Sequence, residues 1–190
     1  MHKRSFKGIK MKQKIAFLSA VLLGIFVTSV NAGHHRENHV VETVEIAASP
    51  AEVWAAARDF GNFHGWHPAA QSSTNDNDNN IGSVRVLNLG GPTITEKLMS
   101  FSDDTMSFTY QIIKVDPAVL PVQNYVSWFA VKANEAGGST VTWMGDFGTV
   151  GEANPEDVKK GVSGIYRAGL DNLKNMLESA NENLDESSAE

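Results

Sequence analysis

The feature that most constrains the fold of this chain is a stretch of helical periodicity from Pro155 to about Ala180. Its apolar residues are spaced three and four apart over about six turns, so they form one stripe along a helix. These residues are Val158, Val162, Ile165, Tyr166, Leu170, Leu173, Met176 and Leu177. Asn154 can cap the first turn, and Pro155 suits the first helical position. A helix with such a stripe must bury it against another element.

The rest of the sequence offers a curved antiparallel sheet as that partner. Alternating or apolar segments predict strands over residues 40–47, 71–75, 82–89, 93–101, 105–115, 123–133 and 139–147. After the first strand, Ser49 and Glu52 form a capping box that begins one short helix, and a second helical turn follows around Phe63. We therefore predict an α+β helix-grip fold, in which about seven strands wrap around the C-terminal helix and enclose a cavity.

The first 32 residues have the order of a secretory signal peptide. Six basic residues and no acidic residue precede an apolar run over 15–27. Small and polar residues then lead to Ala32. We predict cleavage after Ala32, a periplasmic location and no stable membrane association afterwards. The apolar run is short for a membrane span, although an uncleaved anchor is the alternative. Met11 is an alternative start, because a signal that begins there has a more usual length.

Cleavage at this position would leave an acidic domain without cysteine. All 22 acidic residues but only ten of the 16 basic residues follow Ala32, which gives the mature chain a net charge of −12. This charge argues against nucleic acid or an anionic membrane as a partner and favours a basic protein. The absence of cysteine excludes disulfides and thiol chemistry.

Composition divides the mature chain into three parts. Residues 33–39 are predicted to be a flexible terminus, residues 40–181 the folded domain, and residues 182–190 a disordered acidic tail. His35 would be third from the free amine, an arrangement that can bind copper or nickel. A frayed polar terminus is the favoured interpretation, and we expect no metal or other cofactor.

Two residues could carry acid–base chemistry in the predicted cavity. Glu96 lies between Ile94 and Leu98 on the face assigned inward, where burial would raise the pKa of its carboxyl. The alternatives are a position at the wet mouth of the cavity or an ion pair with Arg85. His67 follows the second helical turn and could orient a ligand or cap backbone carbonyls. The sequence contains no evident nucleophile–base pair, metal-ligand cluster or phosphate loop.

Strand alternation and the helical stripe predict which side chains face the cavity. The polar aromatic side chains could offer hydroxyl or indole donors to a ligand, or could simply be part of the core. The predicted ligand-binding residues are Phe60, Trp66, His67, Leu87, Leu89, Glu96, Phe108, Tyr110, Tyr125, Ser127, Phe129, Trp143, Ile165 and Tyr166.

The order of elements and three local stretches resemble the START/Bet v 1-like (SRPBCC) helix-grip superfamily, including its polyketide cyclase/dehydrase-type members. The stretches are residues 49–54 (SPAEVW), 60–68 (FGNFHGWHP) and 164–174 (GIYRAGLDNLK). The resemblance covers about residues 40–180. It implies the fold and a cavity but no particular activity, because the fold hosts enzymes, lipid carriers and receptors.

Part of the sequence is also similar to the plant abscisic acid receptors. The turn Gly90-Gly91-Pro92 resembles their gate loop, Glu96 their pocket glutamate, and residues 124–127 (NYVS) the stretch that holds their pocket tyrosine and serine. This similarity implies that Gly90, Gly91 and Pro92 form a gate at the cavity.

The signal peptide, residues 66–68 (WHP), 121–122 (PV) and 167–170 (RAGL) are similar to the periplasmic MxaD-type accessory proteins of methanol oxidation. Those proteins assist electron transfer between methanol dehydrogenase and its cytochrome, and they have no catalytic centre. The similarity implies an exported, non-catalytic protein that binds a small hydrophobic ligand or a periplasmic redox protein. The alternative is a polyketide cyclase/dehydratase-like enzyme that uses Glu96, with His67, as acid and base.

Overall fold

A computed structural model describes residues 37–188 of the protein, and the side chains of residues 37–180. The strands are β1 (Asn38–Ile46), β2 (Ser72–Asn75), β3 (Val84–Asn88), β4 (Thr93–Ser102), β5 (Ser107–Val115), β6 (Val122–Ala133) and β7 (Ser139–Thr149). The helices are α1 (Pro50–Ala57), a 3-10 turn (Phe63–Gly65) and α2 (Pro155–Ser188). This order confirms the predicted α+β helix-grip fold.

All seven strands form one antiparallel sheet in the order β1-β7-β6-β5-β4-β3-β2. Side chains alternate between the two faces of each strand, as the sequence predicts. Phe108 and Tyr110 on β5, and Val141 and Trp143 on β7, are buried on the inner face. This inner face is the surface on which α2 packs.

The long helix α2 buries most of its apolar stripe against the sheet. Val162, Tyr166 and Leu170 are each at most 1% exposed. Polar contacts fix the same helix to the edge strand β1, because Arg167 Nη1 donates to the carbonyl of Thr43 (2.9 Å). Space between α2 and the sheet therefore lies on the far side from β1, toward β3, β4 and β5.

The capping box predicted at the start of α1 is present. The hydroxyl of Ser49 accepts from the backbone N–H of Glu52, whose carboxylate accepts from the backbone N–H of Ser49. These bonds satisfy backbone donors that the first turn of a helix leaves free. At the start of α2, Asn154 Oδ1 accepts from the backbone N–H of Glu156 (2.9 Å), as predicted.

Some element boundaries differ from the predictions. The helix α2 continues to Ser188, so the segment predicted as a disordered tail from residue 182 is helical up to that residue. Strand β5 begins at Ser107 rather than at residue 105, because Met106 has a φ of 46° in the preceding turn and cannot continue a strand. The predicted signal peptide and His35 lie outside the described residues and stay predictions. Within residues 37–188, no helix is long and apolar enough to cross a membrane.

The sheet opens between β5 and β6 at one end. Pairing of these strands stops at Gln111 and Val126, beyond which residues 112–115 and 122–125 line a polar cleft of about 520 Å³. Next to this opening, Asn124 has a φ of 53° and the register of β6 with β7 shifts.

Candidate functional site

The sheet and α2 enclose a small cavity with mainly apolar walls. Its volume is about 60 Å³, which corresponds to about four to six water-sized positions. The lining residues come from the segment after α1, from β3 to β7 and from α2. They are Phe63, His67, Ala69, Leu87, Leu89, Ile94, Glu96, Tyr110, Ile112, Leu120, Tyr125, Trp143, Val162, Ile165 and Tyr166.

Many of the residues predicted to bind a ligand meet at this cavity. Those that line it are His67, Leu87, Leu89, Glu96, Tyr110, Tyr125, Trp143, Ile165 and Tyr166. The others do not line it and are buried in the adjoining core, namely Phe60, Trp66, Phe108, Ser127 and Phe129. Binding itself stays a prediction for all of these residues.

Sequence reasoning missed six lining residues. Ile94 and Ile112 share the inward alternation of Glu96 and Tyr110, so the strand pattern alone could have identified them. The same holds for Val162, which lies one helical turn before Tyr166. The others are Phe63, Ala69 and Leu120, which lie outside the strands and α2, where no periodic pattern predicts direction.

One member of a buried ion pair, Glu96, lines the cavity. The register of β3 with β4 places Arg85 opposite Glu96, and Arg85 Nε donates to Glu96 Oε2 at 2.6 Å. Arg85 is 1% exposed and Glu96 is 4% exposed. Burial raises the pKa of the Glu96 carboxyl, and the neighbouring guanidinium opposes this effect. The ion-pair alternative considered for Glu96 is therefore confirmed.

Aromatic rings surround the guanidinium of Arg85. Its central carbon lies 4.1 Å from the ring centre of Phe60, 4.7 Å from that of Phe63 and 5.0 Å from that of Tyr110. Its Nη1 also donates to the carbonyl of Phe60 (3.0 Å). These contacts let a cation remain in the core, because ring faces and a carbonyl replace part of its hydration.

His67 is a buried, neutral histidine. Its Nε2 lies 3.0 Å from the carbonyl of Ile165 in α2, and its Nδ1 lies 3.1 Å from the backbone N–H of Ala69. Because a carbonyl only accepts and an N–H only donates, the proton must be on Nε2. Burial lowers the pKa of His67 to about 4, and the positive charge of Arg85 contributes to this lowering. The side chain thus links the 3-10 turn to α2, which corresponds to the carbonyl-capping alternative.

A neutral hydrogen-bond network lies at another part of the wall. The hydroxyl of Ser127 donates to the carbonyl of Met144 (2.7 Å) and contacts the hydroxyl of Tyr166 (3.1 Å), which in turn contacts that of Tyr125. The indole N–H of Trp143 donates to Ser127 (2.9 Å) and to a further hydroxyl, that of Tyr110 (3.1 Å). Burial raises the pKa of all three tyrosines, so they remain protonated at neutral pH.

Two glycines allow the polar side chains to approach their partners. A Cβ atom at Gly145 on β7 would overlap the hydroxyl of Tyr166, and one at Gly169 on α2 would overlap the ring of His67. Their bare backbones therefore make room for the network and for the link between the 3-10 turn and α2.

The cavity opens between the segment after α1 and the middle of α2. Ala69 and Ile165 are exposed and Leu89 is half-buried, so this mouth has apolar edges. The predicted gate loop, Gly90, Gly91 and Pro92, is an exposed turn that does not line the cavity. The backbone N–H of Leu89 donates to the carbonyl of Pro92 (2.9 Å), so the turn holds in place a residue that does line it.

The comparison with protein families gives one match, which covers residues 37–178, most of the chain. The matching family is described as polyketide cyclase/dehydrase and lipid transport. The chain belongs to this family. The resemblance to polyketide cyclase/dehydrase-type proteins that the sequence indicated is thus confirmed. No curated protein matches the chain.

Solved structures of the same fold include two with substantial sequence identity. The protein XoxI from Bacillus cereus is 32% identical with a TM-score of 0.68, and the match covers 75% of this chain and 97% of that one. An uncharacterised protein from Bacillus thuringiensis is 33% identical with a TM-score of 0.66, over 74% and 98% of the two chains. A protein from Nitrosospira multiformis, 19% identical with a TM-score of 0.65 over 76% and 99%, shares the fold.

Family membership agrees with the position of the cavity but does not determine the chemistry of this chain, which depends on its own side chains. The polyketide cyclase/dehydrase and lipid transport family includes enzymes and carriers by its description. In the described residues 37–188, no group of three or more His, Asp or Glu side chains is arranged to hold a metal ion. The polar side chains at or next to the cavity are those of the buried ion pair, His67 and the tyrosine network.

Proposed function

We propose that the mature domain is an exported, non-catalytic protein that holds a small apolar molecule between the sheet and α2. The observation that carries this proposal is an apolar cavity whose fully buried polar atoms already have partners within the protein. Binding needs only a shaped, largely apolar cavity with a few polar groups. Catalysis also needs an acid or base that is free to exchange a proton with the ligand.

The candidate acid–base groups are occupied in ways that disfavour catalysis. Both ring nitrogens of His67 are hydrogen-bonded to backbone groups, and Glu96 is paired with Arg85. Outside the cavity, His64 Nδ1 lies 2.8 Å from the hydroxyl of Ser73. That hydroxyl donates to the carbonyl of Gly61 (2.5 Å), so His64 cannot take its proton.

The size of the cavity limits the ligand. Cavities that enclose drug-sized molecules measure about 300–1,000 Å³, whereas this one measures about 60 Å³. It would hold a molecule of about four to six non-hydrogen atoms without rearrangement. A polyketide chain or a whole lipid would require α2 to move away from the sheet.

A role beside a periplasmic redox protein is the more specific part of the proposal. The signal-like residues 1–32, the acidic mature charge and the similarity to MxaD-type proteins support it. The 32% identity with XoxI supports a shared role with that protein. We propose that the domain docks on such a partner, of the methanol dehydrogenase or cytochrome kind, through electrostatic attraction to a basic surface.

An enzyme of the cyclase/dehydratase kind is the second candidate. The observation that favours it is the position of Glu96 in the cavity wall, with a raised pKa. A double variant Glu96→Gln, His67→Ala that folds and retains full function in the host would contradict every catalytic version. If the wild type turns over a substrate and this double variant does not, the result would favour the enzyme.

Native mass spectrometry of the mature protein from its own periplasm tests the binding proposal. We expect a bound molecule of low mass, which the variant Ala69→Phe should lose because a ring at the mouth would block the cavity. Ala55→Phe is the matched control, since Ala55 is exposed on α1 and does not line the cavity. An empty wild-type protein that co-purifies with a dehydrogenase or cytochrome would overturn ligand carriage and leave the docking role.

A further inference from the structure

One oxygen of the buried ion pair has no partner. Arg85 donates to Glu96 Oε2, and no group in the described part of the chain donates to Glu96 Oε1. Every fully enclosed polar side-chain atom among these residues has a hydrogen-bond partner, so Oε1 is not fully enclosed. Glu96 is 4% exposed and lines the cavity. The space that Oε1 faces is therefore the cavity.

The direction of the hydroxyl network can be assigned from its end at a carbonyl. Ser127 must donate to the carbonyl of Met144, which can only accept. Tyr166 must then donate to Ser127, and Tyr125 must donate to Tyr166. The oxygen of Tyr125 receives no hydrogen from this chain of bonds. Tyr125 lines the cavity and so contributes a second acceptor without a donor.

Most donors around the cavity are used within the protein. His67 Nε2–H bonds to the carbonyl of Ile165, and the indole N–H of Trp143 bonds to Ser127 and Tyr110. The Tyr110 oxygen accepts from Trp143, but Ser127 cannot accept the Tyr110 hydrogen, because its two lone pairs already face Tyr166 and Trp143. Arg85 does not line the cavity. The side chains that line it therefore present the acceptors of Glu96 and Tyr125 and one hydroxyl donor, that of Tyr110.

The charge state of the pair follows from its burial. Arg85 is a permanent cation, and a neutral Glu96 would leave its charge without a counterion in the core. Glu96 is therefore the carboxylate when the pair is intact, and the pair as a whole is neutral. A neutral site with free acceptors has no excess charge with which to attract an ion.

We propose that the cavity selects a small neutral alcohol, whose hydroxyl donates to Glu96 Oε1 while its hydrocarbon part contacts the apolar wall. This inference rests on the proposed binding function and adds the class of ligand. The corresponding ketone could accept from the Tyr110 hydroxyl but has no hydrogen to donate, so it would leave Glu96 Oε1 without a partner. The site therefore discriminates against the carbonyl compound of the same shape.

Three probe molecules of nearly equal size test this selectivity, namely cyclopentanol, cyclopentanone and cyclopentane. Their binding is measured by titration of the mature protein, followed through the backbone amide signals of cavity residues by NMR. A hydrogen bond to a charged acceptor predicts that the alcohol binds at least about tenfold more tightly than the ketone. Cyclopentane lacks both groups and should bind more weakly than the alcohol.

The variant Glu96→Gln should abolish the preference. Its amide oxygen would accept from Arg85, which directs the amide NH₂ into the cavity as a donor from which the alcohol and the ketone can both accept. Glu152→Gln is the matched control, since Glu152 is exposed between β7 and α2 and should keep the wild-type order. If Glu96→Gln does not fold, the order of the three probes on the wild type decides alone.

The outcomes distinguish this inference from the function on which it rests. A ketone that binds the wild type as tightly as the alcohol would overturn the inference and leave ligand carriage intact. If none of the three probes shifts the cavity signals and no molecule co-purifies, the binding function fails and the inference fails with it. Loss of the alcohol preference in Glu96→Gln alone, with the control unchanged, would support both.

Discussion

Two buried polar clusters adjoin the same cavity and differ in the charge of the groups that they present to it. The charged cluster joins Arg85 on β3 to Glu96 on β4 and leaves one carboxylate oxygen open. The neutral cluster joins side chains of β5, β6, β7 and α2, and its hydrogen bonds end at the carbonyl of Met144. The first cluster therefore offers a charged acceptor to a ligand, whereas the second offers only neutral groups and also holds α2 against the sheet.

The largest expected effect comes from separating the charged cluster. The variant Glu96→Leu would leave Arg85 as a buried, unpaired cation, and we expect the free energy of unfolding to fall by about 3–5 kcal/mol. Urea denaturation followed by circular dichroism measures this change. The double variant Arg85→Met, Glu96→Leu should recover most of the loss, because it removes both charges.

An exposed ion pair provides the control for this prediction. Lys160 Nζ lies 3.9 Å from Asp157 Oδ1 on the solvent side of α2. We expect Lys160→Met to leave the urea midpoint unchanged, because exposed pairs contribute little. If Glu96→Leu were as mild as Lys160→Met, the charged cluster would not be buried as described.

His67 lies beside both clusters and gives the next largest effect, through pH. Its pKa is lowered from an ordinary 6.5 to about 4, so the unfolded chain binds a proton that the folded protein excludes. Above about pH 6.5 His67 is neutral in both states, so the protein has its full free energy of unfolding. As the pH falls toward 4, protonation of the unfolded chain lowers that free energy. The expected loss is about 3 kcal/mol in the free energy of unfolding.

Paired urea denaturation at pH 7 and pH 4.5 isolates this contribution. The variant His67→Gln should be less stable at pH 7 but should lose less stability on acidification than the wild type. His64→Gln is the control, since His64 is exposed and bonded to Ser73. A His67→Gln variant with the same pH dependence as the wild type would contradict a buried neutral histidine.

The fold could be predicted from the sequence because its signals are local and periodic. The stripe that includes Val162, Tyr166 and Leu170 specifies α2, and alternation on β5 places Phe108 and Tyr110 inward. Ser49 and Glu52 specify the start of α1 through backbone bonds within one turn. Each of these signals depends on residues only a few positions apart.

The site was less predictable, because it depends on contacts between distant segments. Alternation with Leu87 places Arg85 inward, but only the register of β3 with β4 shows that it meets Glu96. The convergence of Tyr125 and Tyr166 requires the final distance between β6 and α2. The cavity volume depends on how closely all side chains pack, which no local pattern determines.

The smallest expected effect tests the direction assigned to the neutral cluster. Tyr166→Phe would leave the hydroxyl hydrogen of Tyr125 without an acceptor and remove a donor from Ser127, so we expect a loss of about 1–3 kcal/mol. Tyr125→Phe would remove only a donor to Tyr166 and leave no buried hydrogen unpaired, so its loss should be smaller, about 1 kcal/mol. Urea denaturation of both variants, which remove the same atom from the same residue type, compares them directly. A larger loss for Tyr125→Phe would mean that the hydrogens run in the opposite direction, and Tyr125 would then present no free acceptor to the cavity.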